Sequence, residues 1–352
     1  MQNKPTYNRD FYKTHQSGSR RSAQQIVPLV LELIRPKSVV DVGSGTGTWL
    51  SVFNESGILE FLGVDGDWVD PNALEIPANR FFSHDLTKPL RIDRRFDLVV
   101  SLEVAEHLPI ECAETFVDSL INLGDVILFS AAIPCQGGTN HVNEQWPDYW
   151  TNLFKRKEYL AIDYIRDKVW QNELVEWWYA QNILLFMRLQ SLEKYPVLKR
   201  EAESTATRKL SIVHPRSYLE LHRLFKTVNE IGRLIPHRQR FILVDHDVIR
   251  GQLVNDRWAI PFLEREGKYW GVPSDDDTAI RELTRLRKLG AKFVVFTWDA
   301  FWWLDYYAEF HNKLKSQYRC VLKNERLVVF DLSTGVGSRD LAVTSFGASN
   351  RE

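Results

Sequence analysis

The sequence predicts an α/β protein: a doubly wound, mostly parallel sheet followed by a second, smaller α/β domain. Three observations carry this. Apolar runs of strand length alternate with helical periodicity through residues 26–187, the run at 96–101 is almost continuously apolar, and after a polar interval the alternation resumes at Arg240. The chain has 352 residues and is 44% hydrophobic, enough for one or two full cores at roughly 150 residues per domain.

Ile26, Val27, Val30, Leu31 and Ile34 recur at helical spacing ahead of the first strand, and Pro28 within them is expected to kink the helix or to sit in its first turn. Strands are expected near 38–42, 61–64, 96–101 and 126–130, with a late strand near 182–187. The stretch 190–209 is polar, charged and weakly periodic, and reads as a linker. Leu221, Leu224, Phe225, Val228, Ile231 and Ile235 then make one apolar face, ended by Gly232 and Pro236, as an amphipathic helix does. Beyond it the pattern gives a strand at 241–244, a helix at 278–289 closed by Gly290, a strand at 293–296, a helix at 300–315, and a hairpin of 318–322 with 327–330. The expected organisation is a first domain at 1–189, linker and helix at 190–238, a second domain at 239–335 and a disordered tail at 336–352.

The run Ser38-Val-Val-Asp-Val-Gly-Ser-Gly-Thr-Gly-Thr-Trp49 empties a buried strand into a glycine turn at Gly43, Gly45 and Gly47. Glycine lets the backbone turn sharply, approach a ligand closely, and lead into a helix whose free N–H groups face the site. Such a turn reads as the seat of a nucleotide cofactor. The dinucleotide fingerprint fails, because Thr48 occupies the place of its third glycine and Asp41 sets a carboxylate beside the loop. An acid there suits a cationic ligand, and S-adenosylmethionine carries an ammonium and a sulfonium. One crossover later, Phe61-Leu-Gly-Val-Asp65 ends in a carboxylate placed to take both ribose hydroxyls, and Phe81-Phe-Ser-His-Asp85-Leu86 ends in one placed to accept from the adenine amino group.

With Phe96-Asp-Leu-Val-Val-Ser-Leu-Glu-Val-Ala-Glu-His107, these motifs make residues 22–188 resemble a class I S-adenosylmethionine-dependent methyltransferase domain. The resemblance implies cofactor contacts from Asp41, Gly43, Ser44, Gly45, Gly47, Asp65, Asp85, Leu86, Ser101, Leu102, Glu103 and His107. The stretch 133–150, Ile-Pro-Cys-Gln-Gly-Gly-Thr-Asn-His-Val-Asn-Glu-Gln-Trp-Pro-Asp-Tyr-Trp, is similar to small bacterial methyltransferases associated with sugars, surface glycans or secondary metabolites. The acceptor expected on that ground is a sugar, a glycan intermediate or a small metabolite.

The sulfonium is already an activated electrophile, so alignment of acceptor and methyl supplies much of the rate, roughly 7–11 kcal/mol. An oxygen acceptor also needs a base. His141 and Glu144, in the glycine-rich loop after the strand at 126–130, lie on the expected acceptor side, with His141 as base and Glu144 to orient it. Glu144 as a cap of the following helix is the plainer alternative, and His107 a structural or cofactor-shell residue at a helix start. Tyr12, Ser17 and Ser19 are candidates for a flap over the cofactor.

In the second domain, Asp245, His246 and Asp247 follow a strand and are either a site or a solvated loop. The aromatics of 297–307 read first as core and Asp299 as a helix cap. A non-catalytic cofactor-fold scaffold of a glycan pathway is the competing function. The net charge of −1 offers no footprint for nucleic acid. Cys112, Cys135 and Cys320 lack the spacing of a disulfide framework or a zinc site. No signal-peptide core or membrane-spanning run is present, and a cytoplasmic location is expected.

Overall fold

The computed structural model describes residues 9–138, 140–206, 209–246, 248–249 and 257–335, with side chains from Gly18 to Ser333 among them. The expected tail at 336–352 lies outside the described residues, as do Asp247 and the side chains of Tyr12 and Ser17. The chain divides into two compact units, Met1–His222 and Arg223–Glu352.

The first unit runs α1 (Arg9–Ile34), β1 (Ser38–Val42), α2 (Thr48–Glu55), β2 (Glu60–Asp65), β3 (Phe81–Ser83), β4 (Leu98–Leu102), α3 (Ala113–Leu123), β5 (Val126–Ser130), α4 (Pro147–Lys155), β6 (Tyr159–Ile162), α5 (Ile165–Val169), α6 (Trp177–Asn182), β7 (Leu184–Arg188) and α7 (Pro196–Thr205). Its sheet has the order β3-β2-β1-β4-β5-β7-β6. The first five strands in that order are parallel, and β7 runs antiparallel to both β5 and β6. Every residue of β1, β4 and β5 is buried, because helices cover both faces. Val39, Leu98 and Val100 pack with α1 and α2 on one face, while Val40, Val42 and Val99 pack with α3 on the other.

Some expectations shift. Pro28 lies well inside the 26-residue α1 and not in its first turn. The fourth strand begins at Leu98, with Phe96 making only a lone bridge to Gly124. The short segment expected to end at Asp85 is strand β3, Phe81–Ser83, whereas strand β6 was not foreseen. The expected linker is instead folded: a turn of 3-10 helix at Leu189–Lys194 leads into α7, whose first position is Pro196, where a missing N–H is harmless. Leu198, Ala202 and Thr205 bury one face of α7 at helical spacing, while Lys199, Arg200 and Glu203 are exposed. A buried ion pair fastens its end: Arg166 grips Asp163 through Nε at 2.8 Å and Nη2 at 2.5 Å, and the Asp163 N–H donates to Thr205 Oγ1 at 2.9 Å.

The second unit takes over within α8 (Pro215–Leu234) and continues as β8 (Arg240–Val244), β9 (Trp258–Pro261), a small hairpin of β10 (Glu264–Arg265) and β11 (Lys268–Tyr269), α9 (Asp276–Lys288), β12 (Phe293–Thr297), α10 (Trp303–Tyr306), α11 (Ala308–Gln317), β13 (Tyr318–Lys323) and β14 (Leu327–Gly335). Its sheet order is β13-β14-β12-β8-β9, with β12, β8 and β9 parallel. The helix expected over 300–315 is broken at Tyr307, whose ψ of 74° is not helical. The cause is tertiary: the Tyr307 ring is buried and its hydroxyl donates to the Pro273 carbonyl at 2.7 Å. Trp303 and Tyr307 are core, as the plainer reading of the aromatics expected, whereas Tyr306 is exposed.

Because Leu198 carries the buried face of α7, Leu198→Ala should destabilise the chain by roughly 2–4 kcal/mol through lost burial and a cavity. Urea unfolding followed by circular dichroism checks it, and a change below about 0.5 kcal/mol would show that α7 is held by something other than this face.

Candidate functional site

Strand order in the first sheet reverses between β1 and β4, and in open α/β sheets ligands bind beyond the carboxyl ends of the strands at such a point. Both ends carry turns that the sequence singled out. After β1 the chain passes through Gly43, Gly45 and Gly47, at φ of 87°, 54° and 88°. The Gly43 and Ser44 N–H groups both donate to the Val64 carbonyl, at 2.7 and 3.1 Å, which folds the loop down against β2. A Cβ on Gly43 would lie 2.3 Å from a Val104 methyl, so this position is closed to any side chain. Ser44 is buried within the loop, and Gly47 caps α2.

Three expected carboxylates differ in surroundings. Asp41 is only 3% exposed, and burial, reinforced by the charge of Asp65, pushes its carboxyl up from 3.8 to about 8. Asp65 closes the loop, accepting from the Gly45 N–H and the Gly66 N–H at 2.7 Å each; burial raises its pKa and these two bonds oppose the rise. Asp85 is exposed beyond β3, where it accepts from Thr87 and pairs with Lys88 at 3.1 Å. Hydrogen bonding from Thr87 and then Lys88 lowers its pKa. Leu86 beside it is buried.

Beyond β4 lies a layer of buried polar groups. Ser101 Oγ is buried without a partner, and Leu102 is buried beside it. Glu103 turns the chain with φ of 54°. Its carboxylate accepts from Gln136 Nε2 at 2.9 Å and Asn182 Nδ2 at 3.1 Å, the latter brought in from the end of α6. A 3-10 turn at Ala105–His107 follows, in place of the helix start expected at Glu106 and His107. Glu106 is wholly buried with neither oxygen hydrogen-bonded, and burial and then the charge of Glu103 hold its carboxyl well above the ordinary range. Burial also lowers His107, to about 4, with the nearby His141 adding to the effect.

The loop after β5 is fastened to that turn: the Val142 and Asn143 N–H groups donate to the Glu106 carbonyl at 2.8 and 3.0 Å, and the Gln145 N–H donates to Ala132 at 3.1 Å. This brings His141 edge-to-face onto His107, with ring centroids 4.9 Å apart. Gly138 passes flush against the His141 ring, where a Cβ would come within 2.4 Å of Nε2. Glu144 does not cap α4, whose N-cap is Trp146. It folds back instead, accepting from His141 Nδ1 at 3.0 Å and from the Cys135 and Gly137 N–H groups at 2.8 and 2.9 Å. Burial acts to raise Glu144, but these bonds outweigh it and its pKa falls.

A sequence model of the methyltransferase domain family matches residues 15–195. The chain belongs to that family. Its fold is the Rossmann-like methyltransferase fold, and its cofactor is S-adenosylmethionine. No curated protein matches the chain. Among solved structures it is similar to Streptomyces venezuelae DesVI, at 22% identity over 35% of this chain and 56% of that one, with a TM-score of 0.30. It is also similar to an O-methyltransferase family protein from Burkholderia thailandensis, at 15% identity over 52% and 60%, TM-score 0.38. A third likeness is to magnesium protoporphyrin IX methyltransferase from Synechocystis PCC 6803, at 18% identity over 52% and 86%, TM-score 0.38.

This methyltransferase domain fits its cofactor at the loop. A buried carboxylate held near neutrality at Asp41 is what a ligand ammonium would ionise, and Asp65 sits one strand over with one oxygen on the loop's Gly45 N–H and the other on the Gly66 N–H that follows β2. Ser19, from the proposed flap, lies in α1 and contacts the Tyr179 hydroxyl at 3.2 Å. Sequence reasoning passed over Gln136, Gln181 and Asn182, which tie Glu103 to β5 and β7. Nothing in their spacing announces the contact, since it depends on α6 meeting the loop after β5. In the second unit, Asp245 is buried and accepts from the Ile249 N–H at 2.8 Å. His246 Nε2 accepts from Trp303 Nε1 at 3.0 Å, and His246 Nδ1 lies 3.4 Å from Asp299. Asp299 is therefore not a cap; it faces His246 and accepts from Thr297. No helix among the described residues is long and apolar enough to cross a membrane.

The Asp41 environment has a pH signature. Because its folded pKa of about 8 exceeds its ordinary 3.8, the folded chain holds a proton there that the unfolded chain has lost, and this group removes stability as pH rises through that window. Cofactor binding at pH 7 should therefore release close to one proton, read by calorimetry in buffers of different ionisation enthalpy. Asp41→Asn should abolish the release, weaken binding roughly tenfold or more and stabilise the unliganded chain above pH 8. Proton release unchanged in this variant would remove Asp41 from the cation's shell.

Proposed function

We propose that this methyltransferase transfers the methyl group of S-adenosylmethionine to a hydroxyl oxygen of a sugar, a glycan intermediate or a small metabolite. The supporting observation is the Glu144–His141 pair on the loop after β5, beside the turn that closes β4. Glu144 accepts the hydrogen bond of the Nδ1–H, so His141 presents the lone pair of Nε2. In the reaction this nitrogen takes the acceptor's hydroxyl proton as the oxygen bonds to the methyl carbon. The carbon–sulfur bond breaks with its electron pair returning to sulfur, and the sulfonium becomes the neutral thioether of S-adenosylhomocysteine. Asp41, Gly43, Ser44, Gly45, Gly47 and Asp65 hold the cofactor in this reading. Leu86, Ser101, Leu102, Glu103 and His107 line its far side, and Asp85 turns from Lys88 to the adenine amino group.

The class of acceptor is read from the resemblance of residues 133–150 to methyltransferases of sugars, surface glycans and secondary metabolites, and the second unit is assigned to acceptor access in the same pathway. The test is a panel of sugars, glycan intermediates and metabolites incubated with isotope-labelled S-adenosylmethionine and searched by mass spectrometry for the gain of one labelled methyl. Labelling only of amines or thiols would overturn the hydroxyl assignment.

On the accepting panel member, His141→Ala should lower turnover roughly 100-fold or more while leaving cofactor affinity within about threefold, because the cofactor is held from other strands. Near-normal turnover would make the histidine structural and leave alignment alone to carry the chemistry. Asp65→Ala should instead weaken cofactor binding by about 1.5–3 kcal/mol.

A further inference from the structure

We propose that Glu106, His107 and His141 form a binding site for one divalent transition-metal cation at the acceptor edge of this methyltransferase. One ligand atom from each residue lies within 4.8 Å of the other two, a set that rotation of the side chains can close onto a single ion. Two imidazoles and one carboxylate are the donor set that suits iron, cobalt, zinc or manganese with positions left open for another ligand.

The independent sign is an unmet need for a partner. Glu106 is wholly buried and neither of its oxygens is hydrogen-bonded, and His107 Nδ1 is likewise buried and unpaired. Buried carboxylates in native structures are paired or hold a metal. The adjacent Glu103 supplies the contrast, because its oxygens are taken by Gln136 and Asn182. His141 is already arranged as a ligand: its Nδ1 donates to Glu144 at 3.0 Å, a carboxylate–histidine pairing that fixes ring orientation and frees Nε2. The backbone preserves the set, since the Val142 and Asn143 N–H groups fasten the His141 loop to the Glu106 carbonyl.

The use of the cation, though not its binding, rests on the hydroxyl-acceptor reading. In the loaded protein the acceptor oxygen takes an open position, where the positive charge acidifies its hydroxyl, and the proton leaves to water as the oxygen attacks the methyl carbon. In the unloaded protein His141 Nε2 takes that proton itself. The carbon–sulfur bond breaks as before in either case.

The test uses the full-length chain, stripped with a chelator and titrated with Co2+ by visible absorption and with Zn2+ by calorimetry. Saturable binding of one ion per chain is expected. Glu106→Gln, His107→Gln and His141→Gln should each weaken it roughly tenfold or more, with circular dichroism and a cooperative thermal transition reporting that the variant is folded. No saturable binding, or binding that the folded variants leave unchanged, overturns the site. Should the variants fail to fold, pulsed EPR of the Cu2+-loaded wild-type chain decides, with two coordinated imidazoles expected and none overturning the proposal. With an accepted hydroxyl substrate, the loaded protein should turn over at least about tenfold faster than the stripped one; equal rates overturn the catalytic use. Saturable binding with no methyl transfer to any hydroxyl overturns the acceptor reading and leaves the site standing.

Discussion

The contact between Gly43 and Val104 is the constraint on which the site depends. A side chain at position 43 would collide with the Val104 methyls at 2.3 Å, so the cofactor loop and the turn after β4 can meet only because one of them has no Cβ. From that meeting the rest follows. The loop lies flat enough for its N–H groups to reach the Val64 carbonyl, and Asp65 can bridge Gly45 and Gly66. The turn is in place to aim Glu103 and Glu106 inward. In the proposed reading a methyl donor on one side and an acceptor on the other would be served by two adjacent strand ends of one sheet, and rigid elements hold reacting atoms more accurately than mobile loops.

The sheet explains why so much polarity can be buried there. Strands β1, β4 and β5 are covered on both faces, and the helices that cover them contribute the partners. Asn182 at the end of α6 satisfies Glu103 and also donates to Gln136 Oε1 at 2.9 Å, while Gln181 accepts from the His214 N–H at 2.8 Å. Each bond is worth about 1 kcal/mol net, but removing one partner would strand a buried acceptor at a cost of about 1–3 kcal/mol. The antiparallel β7 matters here because it carries α6 back to the edge where Glu103 lies. A network of this kind specifies one arrangement more than it stabilises the chain.

What was legible in the sequence follows the same physics. The glycine loop, Asp41, Asp65 and the alternation of strands and helices could be read because their patterns are local: a φ near +87° demands glycine at position 43 wherever the chain goes next. The second unit's strands at β8 and β12 and its closing hairpin were legible for the same reason. The segment 190–209 was misread because its charged residues hide a sparse apolar face, Leu198 and Ala202, whose role appears only when β6 is beside it. The break in the helix at Tyr307 could not be read either, since it is set by a hydroxyl reaching Pro273, far away in sequence. Glu144 was expected to orient His141 or, more plainly, to cap a helix; it bonds His141, and its further bonds to Cys135 and Gly137 make it the brace of a loop, which spacing could not announce.

The two acids after β4 show how the fold separates roles between like residues. Glu103 and Glu106 stand three residues apart, the first partly and the second wholly buried, and the charge of Glu103 adds to burial in raising the cost of ionising Glu106. Structure relieves Glu103 with amide donors and leaves Glu106 bare beside two imidazoles. A core under no functional demand would replace such a residue by an apolar one of similar volume, which is often neutral or stabilising. The unmet group is instead placed where β4 ends, beneath the loop that carries His141, so its cost falls at the point where an acceptor oxygen would have to be held and acidified.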